Sequence, residues 1–148
     1  MTANIVSDGP QSGWLKVYVA GNTTAGGVNT LGSILNPEGV ALQITDGFLY
    51  VINDADAAAT LDIGIGATGA DSTDLCSAYD INGATAGDVI YIVGKDAASE
   101  AAATTPKGLK WAATTYLNFY NPAAAVSSPF EGYLYLRYIR IGDDVSLL

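Results

Sequence analysis

Apolar and polar residues alternate along the chain with the two-residue period of β-strands, and no segment shows a sustained helical period. In the first such segment, Leu15, Val17 and Val19 share one side. Alternation of this kind, or a short run of β-branched and aromatic residues, predicts the other strands. The predicted strands are Trp14–Ala20, Val40–Ile52, Thr60–Ile65, Asp88–Val93, Trp111–Tyr120 and Tyr133–Ile141. Short strands separated by turn residues predict an all-β fold, an antiparallel two-sheet β-sandwich that is jelly-roll-like.

The longest predicted strand, Val40–Ile52, contains an Asp46-Gly47 pair that is also typical of a hairpin turn. We favour one long strand with a bulge or bend, because the apolar residues continue to occupy every second position on both sides of the Asp46-Gly47 pair. We call this shared even numbering their parity. The residues that share this parity are Val40, Leu42, Ile44, Phe48, Tyr50 and Ile52. Asp88–Val93 is instead a continuous apolar run, which predicts a strand buried on both faces.

The remaining segments predict one domain with an N-terminal arm. Residues 1–13 are polar and rich in Gly, Pro and Ser, which indicates a flexible arm, and residues 14–148 form a single β-sandwich domain. Residues 21–34 are predicted to be a loop, and the Ala-rich residues 97–103 at most one helical turn. The Asn36-Pro37-Glu38-Gly39 sequence fits a type I turn.

Charge and composition argue against several partners. The formal net charge is −9, with only six Lys or Arg, whereas binding to nucleic acid or to an anionic membrane needs clustered cations. We therefore expect no nucleic-acid partner and no membrane partner. The first residues show no signal peptide, so we expect the protein to be made and assembled in the cytoplasm of a cell. Charged residues make up only 14% of the chain, which leaves more surface for contacts with a protein partner.

The residue types needed for common catalytic and metal sites are scarce. The chain has no His and a single Cys, Cys76, which argues against His-dependent catalysis, zinc cages and internal disulfides. We expect no catalytic residues, no cofactor and no bound metal. Paired carboxylates of a small hydrolase remain a distant alternative.

Three motifs have structural explanations that we prefer to functional ones. The sequence Gly64-Ile65-Gly66-Ala67-Thr68-Gly69 matches a dinucleotide fingerprint, but no amphipathic helix follows it. We interpret Gly142-Asp143-Asp144 as the solvent-exposed end of a strand. A group of loop aspartates could hold Ca²⁺, although such residues usually cap turns. These aspartates are Asp54, Asp56, Asp62, Asp71 and Asp74.

The last predicted strand supplies the candidate interface. Tyr and Arg are enriched among residues that dominate binding at protein interfaces. Tyr133, Tyr135 and Arg137 share one face of this strand, while Tyr138 and Arg140 share the other. The alternative is that the Tyr rings border the core with their hydroxyls in water. Because sparse charge accompanies these residues, we expect a closed homo-oligomer.

Two segments resemble small structural proteins of tailed bacteriophages. Leu35–Thr45 places an Asn-Pro-x-Gly turn before a strand, and Ala59–Gly66 forms a strand that leads into an Asp/Ser/Thr loop. The resemblance extends loosely over residues 111–141. It implies a member of the jelly-roll-like capsid decoration (cement) or head accessory proteins, a virion protein that coats the capsid exterior, commonly as a homotrimer. The major capsid protein is then the expected partner.

The sequence therefore favours a non-enzymatic virion structural protein that binds the outer surface of a phage capsid and stabilises it. The alternative is a glycan-binding module, or the base of a head fibre or tail accessory protein, that uses exposed Trp or Tyr.

Overall fold

In a computed structural model of the protein, the described residues are 12–21, 30–55, 59–92, 109–123 and 130–141. They form strands and connecting turns, and no helix occurs among them. The strands are β1 Ser12–Ala20, β2 Thr30–Leu35, β3 Leu42–Asn53, β4 Thr60–Gly66, β5 Cys76–Asp80, β6 Val89–Tyr91, β7 Leu109–Trp111, β8 Tyr116–Ala123 and β9 Glu131–Arg140. The predicted all-β class is confirmed.

The strands build two antiparallel sheets with the connectivity of a jelly roll. Four antiparallel pairs, β1 with β9, β2 with β8, β3 with β6 and β4 with β5, describe one long folded ribbon. The ribbon rolls up so that β3 also pairs with β9, and β4 with β8. The first sheet therefore has the order β1-β9-β3-β6, with β7 also on β3, and the second sheet has the order β2-β8-β4-β5. This confirms the predicted two-sheet sandwich.

β3 is one continuous strand, as predicted, but the reason given for it is wrong. Its pairing with β9 is irregular between Ile44 and Asp46, where one extra residue forms a bulge. An extra residue shifts every later side chain to the opposite face. Ile44 points into the core before the bulge, whereas Leu49 does so after it. The bulge therefore turns Phe48 and Tyr50 outward, and the apolar parity does not continue across Asp46-Gly47.

The core fills the space between the two sheets. Inward residues of β3 and β9 face inward residues of β4 and β8, and two large rings, Trp111 and Phe130, have no exposed surface. Burying a side chain of this size contributes on the order of 1.5–3 kcal/mol. The fully buried aliphatic residues at the centre are Leu42, Ile44, Leu49, Val51, Leu61, Ile63, Leu117, Leu134 and Leu136.

Four elements differ from the sequence-based prediction. β2 lies in the expected loop 21–34, and β5 was not predicted. The expected strand Trp111–Tyr120 is divided by a turn, in which the Thr115 N–H donates to Ala112 O at 3.1 Å. β6 is an exposed edge strand and not a buried one, since Val89 and Tyr91 are 49% and 56% exposed.

Two expectations fall partly or wholly outside the described residues. β1 begins at Ser12, two residues before the expected boundary at 14, and residues 1–11 of the expected arm are not described. The helical turn expected at 97–103 also lies outside the described residues.

Buried amide side chains hold the turns onto the sheets. Asn36 is 4% exposed; its Nδ2 donates to Trp111 O at 3.0 Å, and its Oδ1 accepts from Gly39 N at 3.1 Å. Asn118 has no exposed surface, and its Nδ2 donates to Ala67 O at 2.9 Å. Because both amides satisfy backbone groups of loops, they fix the loop positions without leaving unpaired polar atoms in the core.

Two glycines of the Gly64–Gly69 motif serve loop packing. A Cβ added to Gly64 would lie 2.5 Å from Ser72 C, and one added to Gly66 would lie 2.6 Å from Ser72 Oγ. No helix begins in residues 67–92, so the described structure offers no helix N-terminus to hold a pyrophosphate. The glycines allow the loop after β4 to lie directly on that strand.

We expect Gly64→Ala to lower the free energy of unfolding by about 1–3 kcal/mol, because the added methyl group collides with backbone atoms. The measurement is urea denaturation followed by circular dichroism. Gly32→Ala is the matched control: it also lies in a strand, and a Cβ there would meet no atom within 4 Å. Equal stability of the two variants would contradict the packing role.

Candidate interaction surface

The solvent-facing side of the first sheet carries a continuous group of aromatic residues, which we call the outer aromatic face. Register places its members side by side: Lys16, Tyr135 and Phe48 are aligned across β1, β9 and β3, and Phe48 pairs with Tyr91 of β6. A second row of outward-facing side chains lies two residues further along the same strands. The aromatic members of the face are Trp14, Tyr18, Phe48, Tyr50, Tyr91, Tyr133 and Tyr135.

The aromatic face is strongly exposed. Trp14 is 55% exposed, Tyr18 51%, Tyr50 40% and Tyr91 56%. Isolated exposed apolar side chains are ordinary, but a contiguous group of this size on one sheet usually marks a contact surface.

The rings contact one another and form an ordered layer. Phe48 and Tyr135 stack with centroids 4.9 Å apart and an interplanar angle of 20°, and Tyr91 meets Phe48 edge-on at 6.2 Å. Tyr18 and Tyr133 are 5.6 Å apart. Each such contact contributes about 0.5–1.5 kcal/mol beyond burial. The layer is thus held in place before any partner binds.

Two cations lie among the rings. The Lys16 Nζ is 4.2 Å from the centroid of the Tyr133 ring, a cation–π contact, and Arg137 is exposed beside Trp14 in the register. Neither Lys16 nor Arg137 forms an ion pair within the described part of the chain. Both cations can therefore pair with carboxylates of a partner.

The carboxylates at the two ends of the face are already hydrogen bonded. Glu131 accepts from Tyr18 Oη at 2.6 Å and from Asn53 Nδ2 at 2.6 Å, and these bonds lower the pKa of Glu131. The same bond to Glu131 raises the pKa of Tyr18. Asp46 Oδ1 accepts from Gly47 N at 2.8 Å. Carboxylates thus lie at the two ends of the aromatic face, while its two sides, on β1 and β6, are aromatic.

The structure divides the predicted interface residues between two environments. Tyr133, Tyr135 and Arg137 lie on the outer aromatic face, whereas Tyr138 lies on the inward side of β9 and is only 7% exposed. The Tyr138 Oη donates to Glu38 Oε1 at 2.7 Å, and burial followed by this bond raises its pKa to about 12. Arg140 is half-buried near the end of the same strand. Tyr138 is therefore a structural residue of the described chain.

Sequence reasoning missed most of the face. Trp14 and Tyr18 could have been found, since they alternate with the buried side of β1. Phe48 and Tyr50 could not, because the bulge reverses their expected direction. Tyr91 was hidden by an apolar run that predicted burial.

A groove of about 330 Å³ lies between the edge strands β1 and β2, at one side of the sandwich. Its walls are mainly apolar and carry no charged side chain. The lining residues are Val17, Tyr18, Val19, Ala20, Leu31, Gly32, Ser33, Ile34 and Phe119.

Asp62 and Asp71 lie near each other, but the candidate calcium ligands do not form one group in the described residues. Asp54 follows β3, Asp62 is buried in β4, Asp74 Oδ2 accepts from Ile65 N, and Asp56 lies outside the described residues. No group of three possible ligands for a metal occurs in the described ranges. The Gly142-Asp143-Asp144 motif also lies outside the described residues.

Among the described residues, no helix is long and apolar enough to cross a membrane.

Asp62 is nevertheless an unusual carboxyl group. It is 5% exposed and accepts a hydrogen bond from the Ala78 N–H. Burial raises its pKa, and the nearby Asp71 adds to the rise, while the bond from Ala78 opposes it. Ala78 has a φ of 49°, a left-handed conformation that is strained for a residue with a Cβ.

Comparisons with known proteins add little. No protein-family model matches the chain, and no curated protein matches it. One similar solved structure is the cyanophage Pam1 capsid asymmetric unit, with 16% identity, 95% coverage of each chain and a TM-score of 0.49. A likeness of this size assigns neither fold nor function.

The raised pKa of Asp62 predicts a pH-dependent contribution to stability. The folded state binds this proton more tightly than the unfolded chain, so the contribution falls as pH rises from about 4 through the raised pKa. We expect Asp62→Asn to remove this fall while its side-chain oxygen still accepts from Ala78. The measurement is the free energy of unfolding between about pH 4 and 7. The exposed Asp54→Asn is the control, and an identical pH profile for all three proteins would contradict the assignment.

Proposed function

We propose that this chain is a non-enzymatic structural protein of a phage virion. It binds the exterior of the assembled capsid, through the major capsid protein, and stabilises the shell as a decoration protein. Two independent features support the proposal. The sequence resembles phage head proteins over Leu35–Thr45 and Ala59–Gly66, and the first sheet presents an unpartnered aromatic face.

The outer aromatic face is the observation that carries the proposal. Its rings are packed against each other on a rigid sheet, so binding a partner costs little side-chain entropy. It is broad and mainly aromatic, which suits a protein surface better than a small polar substrate. The described chain has no matching set of nucleophile, base and orienting group around it.

Association with an assembled shell explains how such a protein stabilises. A ligand that binds only the assembled state shifts the equilibrium toward that state by mass action. A homotrimer would contact several capsid subunits together, which strengthens weak individual contacts. The net charge of −9 suits the exterior location, since an acidic protein is repelled by packaged DNA.

A glycan-binding role is the alternative that the face also favours. Exposed Trp14 and Tyr91 could stack on sugar rings, as aromatic side chains do in many binding sites. Binding of purified protein to host polysaccharide, without binding to capsids, would favour this alternative.

The test uses particles stripped of this protein. We expect purified protein to rebind them and to raise the temperature at which they release DNA. Trp14→Ser combined with Tyr91→Ser should reduce rebinding by at least about tenfold, because each ring loses its contact with the partner.

Leu35→Ser is the matched control, since Leu35 is 49% exposed but lies on the second sheet. It should rebind like the unchanged protein, and circular dichroism should show both variants folded. If the unchanged protein neither rebinds nor shifts DNA release, the decoration role is wrong. A separate deletion of residues 1–11 tests whether the expected arm contributes to rebinding.

A further inference from the structure

The outermost strands of the two sheets carry backbone N–H and C=O groups that no described strand pairs. In the first sheet these edges are β1 on one side and β6 with β7 on the other, and in the second sheet they are β2 and β5. An open edge can pair with a strand of another chain. Proteins usually prevent this with short strands, bulges, charges or proline at the edge.

Three of the four edges in the described chain are protected in this way. β6 and β7 have three residues each. The pairing of β2 with β8 is irregular between Thr30 and Gly32. β5 has an irregular register with β4, a left-handed Ala78 and a terminal Asp80. Each feature shortens or distorts the row of groups that an added strand would need.

The β1 edge is long and regular. Its nine residues, Ser12–Ala20, pair with β9 without a break in register, and none of them is proline. Its single charged side chain, Lys16, lies 4.2 Å from the centroid of the Tyr133 ring on β9 and therefore extends away from the open edge. Among the described edges, β1 is the one that can accept a further strand over its whole length.

The bonds between β1 and β9 determine which groups of β1 face the open side. The Gly21 N–H donates to Phe130 O at 2.7 Å, so Gly21 and every second residue before it bond to β9. The even-numbered residues of β1 then direct their N–H and C=O groups away from β9. These residues are Trp14, Lys16, Tyr18 and Ala20.

The apolar groove between β1 and β2 lies below this open edge. Val17 and Leu31 contribute to its walls, and no charged side chain lines it. Inward side chains of an added strand would cover the mouth of the groove, so the occupant needs apolar residues at alternate positions. β1 itself has this pattern, since Leu15, Val17 and Val19 all point inward.

We propose that β1 of one copy pairs with β1 of a second copy, antiparallel, about a two-fold axis at Val17. The even-numbered groups of the two strands then bond each other. Lys16 lies opposite the partner's Tyr18, and the bulky Trp14 lies opposite the small Ala20 of the partner subunit. An axis at Lys16 would instead place two Lys side chains directly opposite each other, which is unfavourable.

Pairing at the edge leaves the outer aromatic face free and doubles its size. A two-fold axis perpendicular to the sheet keeps both faces on the same side. Four strands about 4.8 Å apart and roughly 20 Å of strand length give about 400 Å² for one face. A standard interface buries about 800 Å² on each partner, which two joined faces provide. This area argument rests on the proposed function, whereas the pairing itself rests on the β1 edge.

The contact also changes the expected number of copies. A two-fold contact uses the same surface on both subunits and closes with two, so it predicts a dimer in place of the trimer that the sequence resemblance implies. The decoration role needs several weak contacts that act together, and a dimer supplies them as well.

Sedimentation velocity and cysteine cross-linking of the full chain test the pairing. We expect a dimer at micromolar concentration. Val17→Cys should form a disulfide-linked dimer on mild oxidation, because the two Cα atoms of this pair would be about 4.5 Å apart. Leu15→Cys is the matched control, since its two Cα atoms would be roughly 14 Å apart and could not be bridged. The unchanged protein, with its buried Cys76, gives the background.

Lys16→Pro tests the hydrogen bonds of the pairing. Proline removes an N–H that faces the open side and keeps the bonds to β9, a substitution that edge strands tolerate. Lys16→Ala is the control, because it removes the same charge and retains the N–H. We expect the dissociation constant of the Lys16→Pro dimer to be at least about tenfold higher than that of Lys16→Ala. Circular dichroism should show both variants folded, and the Val17→Cys result stands independently of them.

Three outcomes would overturn the proposal. The first is a full chain that sediments only as monomer or as trimer, and the second is cross-linking through Leu15→Cys that equals or exceeds that through Val17→Cys. The third is cross-linking through Val17→Cys that occurs only after deletion of residues 1–11, or only on particles and to the capsid protein. In those cases the N-terminal residues or the capsid protein occupy the edge.

Rebinding to stripped particles is scored separately. A monomer that rebinds would remove the pairing and keep the decoration role, whereas a cross-linked dimer that never rebinds would remove the decoration role alone.

Discussion

One extra residue in β3 determines what the first sheet presents to solvent. The bulge between Ile44 and Asp46 lies opposite the junction of Tyr138 and Arg137 in β9. Before it, even-numbered residues of β3 face the core; after it, odd-numbered residues do. The strand can thus contribute Leu42 and Ile44, and then Leu49 and Val51, to one continuous core while Phe48 and Tyr50 remain outside.

The outer aromatic face is a consequence of that reversal. Phe48 occupies the middle of the face, where it stacks on Tyr135 and contacts both Trp14 and Tyr91. If β3 kept one parity, Phe48 would enter a core that Trp111 and Phe130 already fill. Overfilling a packed core costs about 1–3 kcal/mol, so the bulge is favoured by the core as well as by the surface.

The fold was more predictable from the sequence than the interaction surface. Alternation revealed β1 and β9 because each has one buried side and one more exposed side. It also revealed β4, although Asp62 and Gly64, which alternate with its apolar residues, are buried as well. β2 has no such contrast, since five of its six residues are half-buried at a sheet edge, and its position follows only from pairing with β8. Tyr133, Tyr135 and Arg137 were found from their own strand. Their neighbours from β1, β3 and β6 come from distant parts of the chain, and no local pattern reveals such a juxtaposition.

The account requires the outer aromatic face to be covered in the assembled protein, and fluorescence quenching of Trp14 tests this most directly. The chain has two tryptophans; Trp111 has no exposed surface and serves as an internal reference, whereas Trp14 is 55% exposed. In dilute monomer, acrylamide should quench Trp14 readily and Trp111 very little. On binding to particles, the quenchable fraction should fall to near that of Trp111 alone. Equal quenching of Trp14 in the free and assembled protein would show that the face stays open to solvent and would contradict the account.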